Sequence, residues 1–289
     1  MNRRDFLLRL TSAAALPPAL AATPDGLARA FGAQQRTRIV YSGPDTATHY
    51  QLLRHMRASG LSVRGYELVG NRPRVPRGFN GEWGHGLFLA AVRNSRFSDI
   101  RVSEVMGDGA TIGSTEPYGA VLGVTRDVQI TGLHVAGARR NGISFVGAER
   151  VTVSGFSIRD VRGAPRGPAA GIDFEPDPGT PGNRDLVVRD GTISDCHNFG
   201  IICDGTDTRG VLIERVTVRA ARTGWSLWLT FPGGRNVVRD CTIHGPCVHL
   251  RNVHFERCRF VRDPAHDHFK GHVASKYDNV TFTGCTFEG

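Results

Sequence analysis

The stretch GIDFEPDPG, residues 171–179, sets Asp173 and Glu175 between the apolar Ile172 and Phe174. On a strand, successive side chains point to opposite faces, so these two carboxylates emerge side by side from one face. Like charges at that spacing cost free energy unless something offsets them, and crowded carboxylates beside basic groups are where pKa values move. Positions i and i+2 of a strand lie roughly 6.5 to 7 Å apart. That spacing suits an inverting acid–base pair, which needs about 6.5 to 9.5 Å so that one acid protonates the leaving oxygen while the other activates water.

Other polar residues recur at matching places. Trp83 and His85 precede or begin GLFL (86–89), Asp108 precedes GATI (109–112), and Arg140 and Asn141 precede GISF (142–145). His197 and Asn198 precede GIIC (200–203), and Asp204 follows it. If these segments stack as neighbouring strands, the polar residues form a column of roughly 20 Å, long enough for several sugar units. Phe88, Thr111, Ser144, Asp173 and Ile202 then share one outward slot, and Arg140 and His197 flank the acid pair from the adjacent coils. Expected catalytic residues are Asp173, Glu175, Arg140, His197 and His85. Expected substrate-binding residues are Trp83, Asp108, Asn141, Asn198 and Asp204. Asp108, Asp173, Glu175 and Asp177 offer several oxygen ligands of the kind Ca²⁺ prefers. With Arg140, His85 or His197 as base, that set suits β-elimination of a polyuronate, and a C5-epimerase needs nearly the same apparatus.

The elements that position these residues are read from two interleaved repeats. One runs FSDIRV (97–102), ITGLHV (130–135), VSGFSI (153–158), VRDGTI (188–193), IERVTV (213–218), VRDCTI (238–243), FERCRF (255–260) and FTGCTF (282–287), each with a polar pair at its middle. The other runs GLFL, GATI, GISF, GIDF, GIIC, WSLW (225–228) and CVHL (247–250). Like strands recur after a full circuit rather than a tight hairpin, so they stack in parallel as a solenoid. This pattern resembles the right-handed parallel β-helix family of pectate lyases and polygalacturonases over residues 85–289. The resemblance implies an all-β, single-stranded β-helix acting on a polysaccharide. Pectate-lyase-like enzymes use Ca²⁺ with a basic residue, which is what the resemblance implies for the carboxylates above. The polygalacturonase Asn-Thr-Asp and double-Asp pattern is absent, which favours a lyase over a hydrolase using Asp173 and Glu175. A non-catalytic polysaccharide-binding or surface-structural solenoid is the alternative of a different class.

Residues 1–21 read as a leader. Arg3 and Arg4 precede Phe6 and Leu7, and an apolar stretch ends in Ala19-Leu20-Ala21, which resembles a twin-arginine export signal. The expected location is periplasmic or secreted, and no segment is apolar and long enough for stable membrane insertion. Residues 22–84 are expected to be a lead-in and N-terminal cap, with a helix over 45–59 started by Asp45 and stopped by Gly60. Without residues 1–21, which carry three Arg and one Asp, the formal charge falls from +9 to +7. A basic exported protein suits an acidic polysaccharide, while no basic helix or stacking platform speaks for nucleic acid. Oligomeric state is left open.

Cys241, Cys258 and Cys285 share one repeat slot and are expected to stack as core thiols, although an exported protein admits a disulfide. HDHFKGH (266–272) reads as a polar insertion. Trp225 and Trp228 lie at i and i+3 of a strand, which places one of them in the core.

Overall fold

The computed structural model describes residues 36–289 except 47–48, 77–80, 118, 163–166, 221–223, 265 and 267–276. Within these residues 22 strands join one continuous sheet. Each strand pairs in parallel with its equivalents one coil earlier and one coil later. The chain is a parallel β-helix.

One face of the coil is built by the strands Trp83–Ala90, Ala110–Gly113, Ile143–Val146, Ala170–Phe174, Phe199–Asp204 and Trp225–Thr230 and the start of Cys247–Glu256. Their inward residues form two columns. Leu87, Ala110, Ile143, Ile172, Ile201, Leu227 and Cys247 stack in one, and Leu89, Ile112, Phe145, Phe174, Cys203, Leu229 and Leu250 in the other; all are buried. Phe145 and Phe174 stack with ring centroids 5.2 Å apart. Removing such a side chain from water contributes about 1.5–3 kcal/mol, so this column fixes the register that the outward residues inherit.

The remaining faces come from longer strands that bend at their middle, such as Arg93–Ser103, Thr125–Ala136, Ala148–Val161 and Val187–Cys196. The second residue of each polar pair in the repeat makes the bend. Asp99, Gly132, Gly155, Asp190, Arg215, Asp240, Arg257 and Gly284 all adopt positive φ. Gly and Asp tolerate that left-handed conformation, which explains most of the column. The two arginines are less suited to it. Each reaches back to the aspartate one coil earlier, Arg215 to Asp190 at 2.6 Å and Arg257 to Asp240 at 2.8 Å.

The residue after the bend fills the core. Where Phe156 occupies this slot, the next coil places Gly191, and a Cβ there would lie 2.2 Å from the Phe156 ring. The large and small residues interdigitate. Cys241 and Cys258 are buried in the same column and Cys285 is half-buried. All six cysteines are free thiols, and burial pushes the Cys203 thiol up to about 12.

Two sequence expectations change. Residues 49–56 form a strand, not a cap helix, and pair along Trp83–Ala90. Tyr50 and Leu52 point inward, and the Tyr50 hydroxyl donates to Asn71 Oδ1 at 2.8 Å. The strands Thr37–Val40 and Ser62–Val69 also pair into the sheet, so the coils begin well before residue 85. The second change is a one-residue shift. Phe199 pairs with Trp225, which aligns Gly200 with Ser226 rather than with Trp225. Leu227 and Leu229 take the core positions, and neither Trp225 nor Trp228 is fully buried. The leader over 1–21 and His268 and His272 of the His-rich insertion lie outside the described residues.

Candidate functional site: a carboxyl cluster around Arg140

The outward slot has the expected register. Phe88 pairs with Thr111, Thr111 with Ser144, Ser144 with Asp173 and Asp173 with Ile202. This ladder carries Asp173 onto the outer surface of the face between two hydroxyl residues and an isoleucine. Asp173 is 4% exposed.

Arg140 stands at the centre of the cluster. Its Nη1 donates to both oxygens of Asp108 at 3.2 Å and to Ser144 Oγ at 3.4 Å. Glu175 takes a forked pair, Oε1 from Nη1 at 2.6 Å and Oε2 from Nη2 at 2.7 Å. Arg140 Nε faces Glu82 Oε2 at 3.4 Å. Asn141 ties the layer together from below. Its Nδ2 donates to Ser144 Oγ at 3.0 Å, Asp173 Oδ2 at 3.2 Å and Glu175 Oε1 at 3.5 Å, while its Oδ1 accepts the Ala170 N–H at 3.0 Å. The planar guanidinium is suited to this role because its donors are fixed in one plane.

His85 lies beneath. The Asp108 N–H donates to His85 Nδ1 at 3.1 Å, which puts the ring proton on Nε2. Thr111 Oγ1 donates to Asp108 Oδ2 at 3.0 Å. Burial lowers the His85 pKa to about 4, with Asp108 opposing and Arg140 and His49 reinforcing the shift. The imidazole is therefore neutral at neutral pH.

The acids move the other way. Burial, then the Glu175 charge, holds Asp173 well above the usual carboxylate range, and Asn141 Nδ2 reaches both carboxyls, at 3.2 and 3.5 Å. Burial also raises Glu175, with Arg140 pulling against it. For Arg140, burial opposes the charge, but Asp108 and Glu175 outweigh it and the guanidinium stays firmly protonated. Both acids of the Asp173–Glu175 pair are thus shifted towards the protonated form, and Arg140 supplies positive charge beside them.

This arrangement brings some of the expected residues together and leaves others apart. Asp173, Glu175, Arg140, Asp108 and Asn141 converge, and Trp83 stands at the edge, 45% exposed, with its ring centroid 6.4 Å from that of His85. His197 does not join them. It is exposed, and its N–H bonds Val161 O around the corner of the coil. Asn198, three residues before Ile201 as Arg140 is before Ile143, accepts the Trp225 N–H on its backbone carbonyl. Asp204 lies further along the same face, where it accepts the Trp228 indole N–H at 3.2 Å. His85 is ruled out as a substrate-facing base because it is 3% exposed and its free nitrogen lone pair is taken. Asp108 and Asn141 are buried, and their side chains bond Arg140, Ser144 and Asp173.

The carboxylates do not fit the expected Ca²⁺ set. Asp177 is exposed on the turn beyond Pro176, with its carbonyl accepting from Thr180. The Arg140 guanidinium already sits between Asp108 and Glu175, where a second cation would be repelled. Among the described residues no group of three or more His, Cys, Asp or Glu is arranged to hold a metal ion. The sequence reading also missed Glu82 and the hydroxyls of Thr111 and Ser144. The hydroxyls were in the ladder; Glu82 stands outside every repeat and left no signal.

No protein-family model matches the chain. Two proteins of Bacillus subtilis (strain 168) are each 26% identical to it: the uncharacterized protein YclG over 142 residues and the SPbeta prophage-derived uncharacterized protein YorA over 148. The matches cover 46% and 48% of this chain and 24% and 25% of theirs, so this chain aligns with about a quarter of each relative. Among solved structures, the Azotobacter vinelandii mannuronan C-5 epimerase AlgE6 A-module is similar with a TM-score of 0.47 and 10% identity, over 91% of this chain and 92% of that one. The Dettilon tailspike protein (gp208) is similar with a TM-score of 0.42 and 12% identity, over 88% of this chain and 52% of that one. The fold and cluster together define a parallel β-helix that carries two neighbouring acids beside an arginine on its outer face.

Proposed function

We propose that this chain is a carbohydrate-active β-helix protein that cleaves an acidic, uronate-containing polysaccharide by β-elimination. The observation that supports elimination is the convergence of Asp173 and Glu175 on Asn141 Nδ2 beside Arg140. A hydrolase of the inverting kind needs its carboxyls about 6.5 to 9.5 Å apart, with room for water between them. Here one amide nitrogen, Asn141 Nδ2, reaches both carboxyls at 3.2 and 3.5 Å, although their backbone positions lie at strand spacing. Elimination needs no water.

In this reading the sugar lies along the outer face, with Trp83 as one platform. The uronate carboxylate takes the place of Glu82 at Arg140 Nε, the longest of the guanidinium's ion-pair contacts. Arg140 then withdraws charge from the sugar carboxylate and makes the C5 proton more acidic. Glu175, the more accessible acid of the pair, takes that proton. The C5–H electron pair becomes the C4–C5 double bond, the C4–O4 bond breaks, and the proton passes to O4. Asp173 acts from below as a positioning residue that tunes Glu175. An epimerase would use the same proton removal and return it to the opposite face of C5.

The leader over residues 1–21 supports export by the twin-arginine route, which cell fractionation with Arg3 and Arg4 replaced by Lys would test. For the reaction, the full chain is incubated with a panel of polyuronates while the unsaturated-uronate absorbance and reducing ends are followed in parallel. Both signals are expected to rise together and to vanish in Glu175→Gln. Reducing ends without absorbance would move the assignment to hydrolysis. Binding with neither signal would favour a non-catalytic polysaccharide-binding solenoid.

A further inference from the structure

The outward ladder does not stop at Asp173. It continues through Ile202 to Trp228 and then Val248. Trp228 therefore lies two strands from Asp173 on the same face, roughly 9.5 Å along the solenoid. Its indole is half-buried. It packs edge-on against Phe199 with centroids 5.6 Å apart and donates Nε1–H to Asp204.

The next strand is irregular at this point. Trp228 pairs with Val248 and Leu229 with Leu250, leaving His249 as an extra residue. His249 has φ +48°, a left-handed conformation that a non-glycine residue seldom adopts. This is a β-bulge, and a bulge re-aims the side chain it carries. Here it brings the imidazole to Trp228, ring centroids 4.2 Å apart. Without the extra residue, alternation would carry Leu250 out of register and out of the core column. The bulge keeps Leu250 buried while projecting a ring outward. Backbone strain that leaves the core intact and builds an aromatic surface is a reason to look for a ligand.

We infer that Trp228, His249, Phe199 and Asp204 form a second sugar-binding subsite, which stacks a ring of the same chain whose scissile bond lies at Arg140 and Glu175. The inference rests on the acidic-polysaccharide reading for the identity of the ligand. The occupant is a saccharide ring for two reasons on this face. The subsite shares one straight ladder with the acid cluster. It also combines a flat apolar surface with a carboxylate at its edge, which together match the apolar face and hydroxyl rim of a pyranose. Trp83 lies on the strand three coils from Asp173 on the other side, roughly 14 Å along the solenoid axis and five residues back along its strand from the ladder position Phe88. The two tryptophans thus stand on opposite sides of the cluster along the solenoid axis.

The test titrates short and long oligouronides by calorimetry into the full chain carrying Glu175→Gln, with and without Trp228→Ala. Long oligouronides are expected to bind more tightly than short ones. Trp228→Ala should lower the long-chain affinity about tenfold, the loss of one aromatic anchor, and leave the short-chain affinity unchanged. Equal long-chain affinity with and without Trp228 overturns the subsite. Turnover by the parent chain, read at the unsaturated-uronate band, decides the elimination reading separately. Long oligouronides that bind through Trp228 but are never cleaved would overturn elimination and leave the subsite standing. Failure of every oligouronide to bind overturns both. His249→Gly provides a second variant, because glycine accepts the positive φ without strain. It should lower long-chain affinity at unchanged thermal stability, and parent-like affinity there would remove the bulge from the subsite.

Discussion

Acid should destabilise this protein through one buried imidazole. His85 has a folded pKa of about 4, against an ordinary value of 6.5. A proton that the unfolded chain binds and the folded chain refuses favours unfolding. The sign follows directly: the folded pKa is depressed, so the stability that neutral His85 contributes is present above pH 6.5 and is lost as pH falls towards 4. The shift is roughly two and a half units at about 1.4 kcal/mol each, or about 3 kcal/mol in all. Asp173 and Glu175 act oppositely in acid, because their folded pKa values are raised and the folded state takes up protons first. They are common to parent and variant, so a comparison cancels them to first order. The variant is His85→Gln, whose side-chain oxygen can still accept the Asp108 N–H. Urea unfolding of both proteins is measured from pH 7 to pH 4. The stability of the parent relative to His85→Gln should fall by about 3 kcal/mol across that window. A difference that stays flat to within about 1 kcal/mol would refute the claim that His85 is held neutral by burial.

Other perturbations should differ sharply in size. Arg140→Met leaves the enclosed Asp108 and its neighbours without their cation, and should cost about 3–5 kcal/mol in urea unfolding at neutral pH, with part of the loss recovered in acid. Gly191→Ala drives a methyl group into the Phe156 ring and should cost about 1–3 kcal/mol; pairing it with Phe156→Leu should restore much of that in the same assay. Arg215 makes a short ion pair with Asp190 but is exposed. Arg215→Ala should hardly move the melting temperature, and Arg215→Gly should melt above Arg215→Ala because glycine suits the left-handed bend.

The ladder at the site was legible because a strand repeat specifies both register and facing. Once GATI, GISF, GIDF and GIIC are aligned, Thr111, Ser144, Asp173 and Ile202 must share a slot, and they do. The polar pairs were visible too, but their cause was not: the second member needs positive φ. The strand at 49–56 was misread because Leu52, Leu53 and Met56 fall at helical spacing. Pairing with Trp83–Ala90 overrode that local pattern. His197 was misplaced because spacing in sequence does not say which side of a corner a residue faces. The bulge at His249 defeated alignment altogether, since an extra residue breaks the period on which the reading depends. Side-chain reach was likewise hidden. Backbone spacing separates Asp173 from Glu175, yet Asn141 Nδ2 reaches both carboxyls.

Each coil touches only the coil before and the coil after. A molecule joined in that way behaves as a one-dimensional chain of coupled units, in which folding can begin at any well-packed coil and spread in both directions. Opening is local for the same reason. The coils around Phe145 and Phe174, stacked and fully enclosed, are the natural seed, and the carboxyl cluster rides on their outer surface. The charge-crowded layer is therefore held by the firmest segment of the stack, and amide exchange there should be slower than in the coils towards either end.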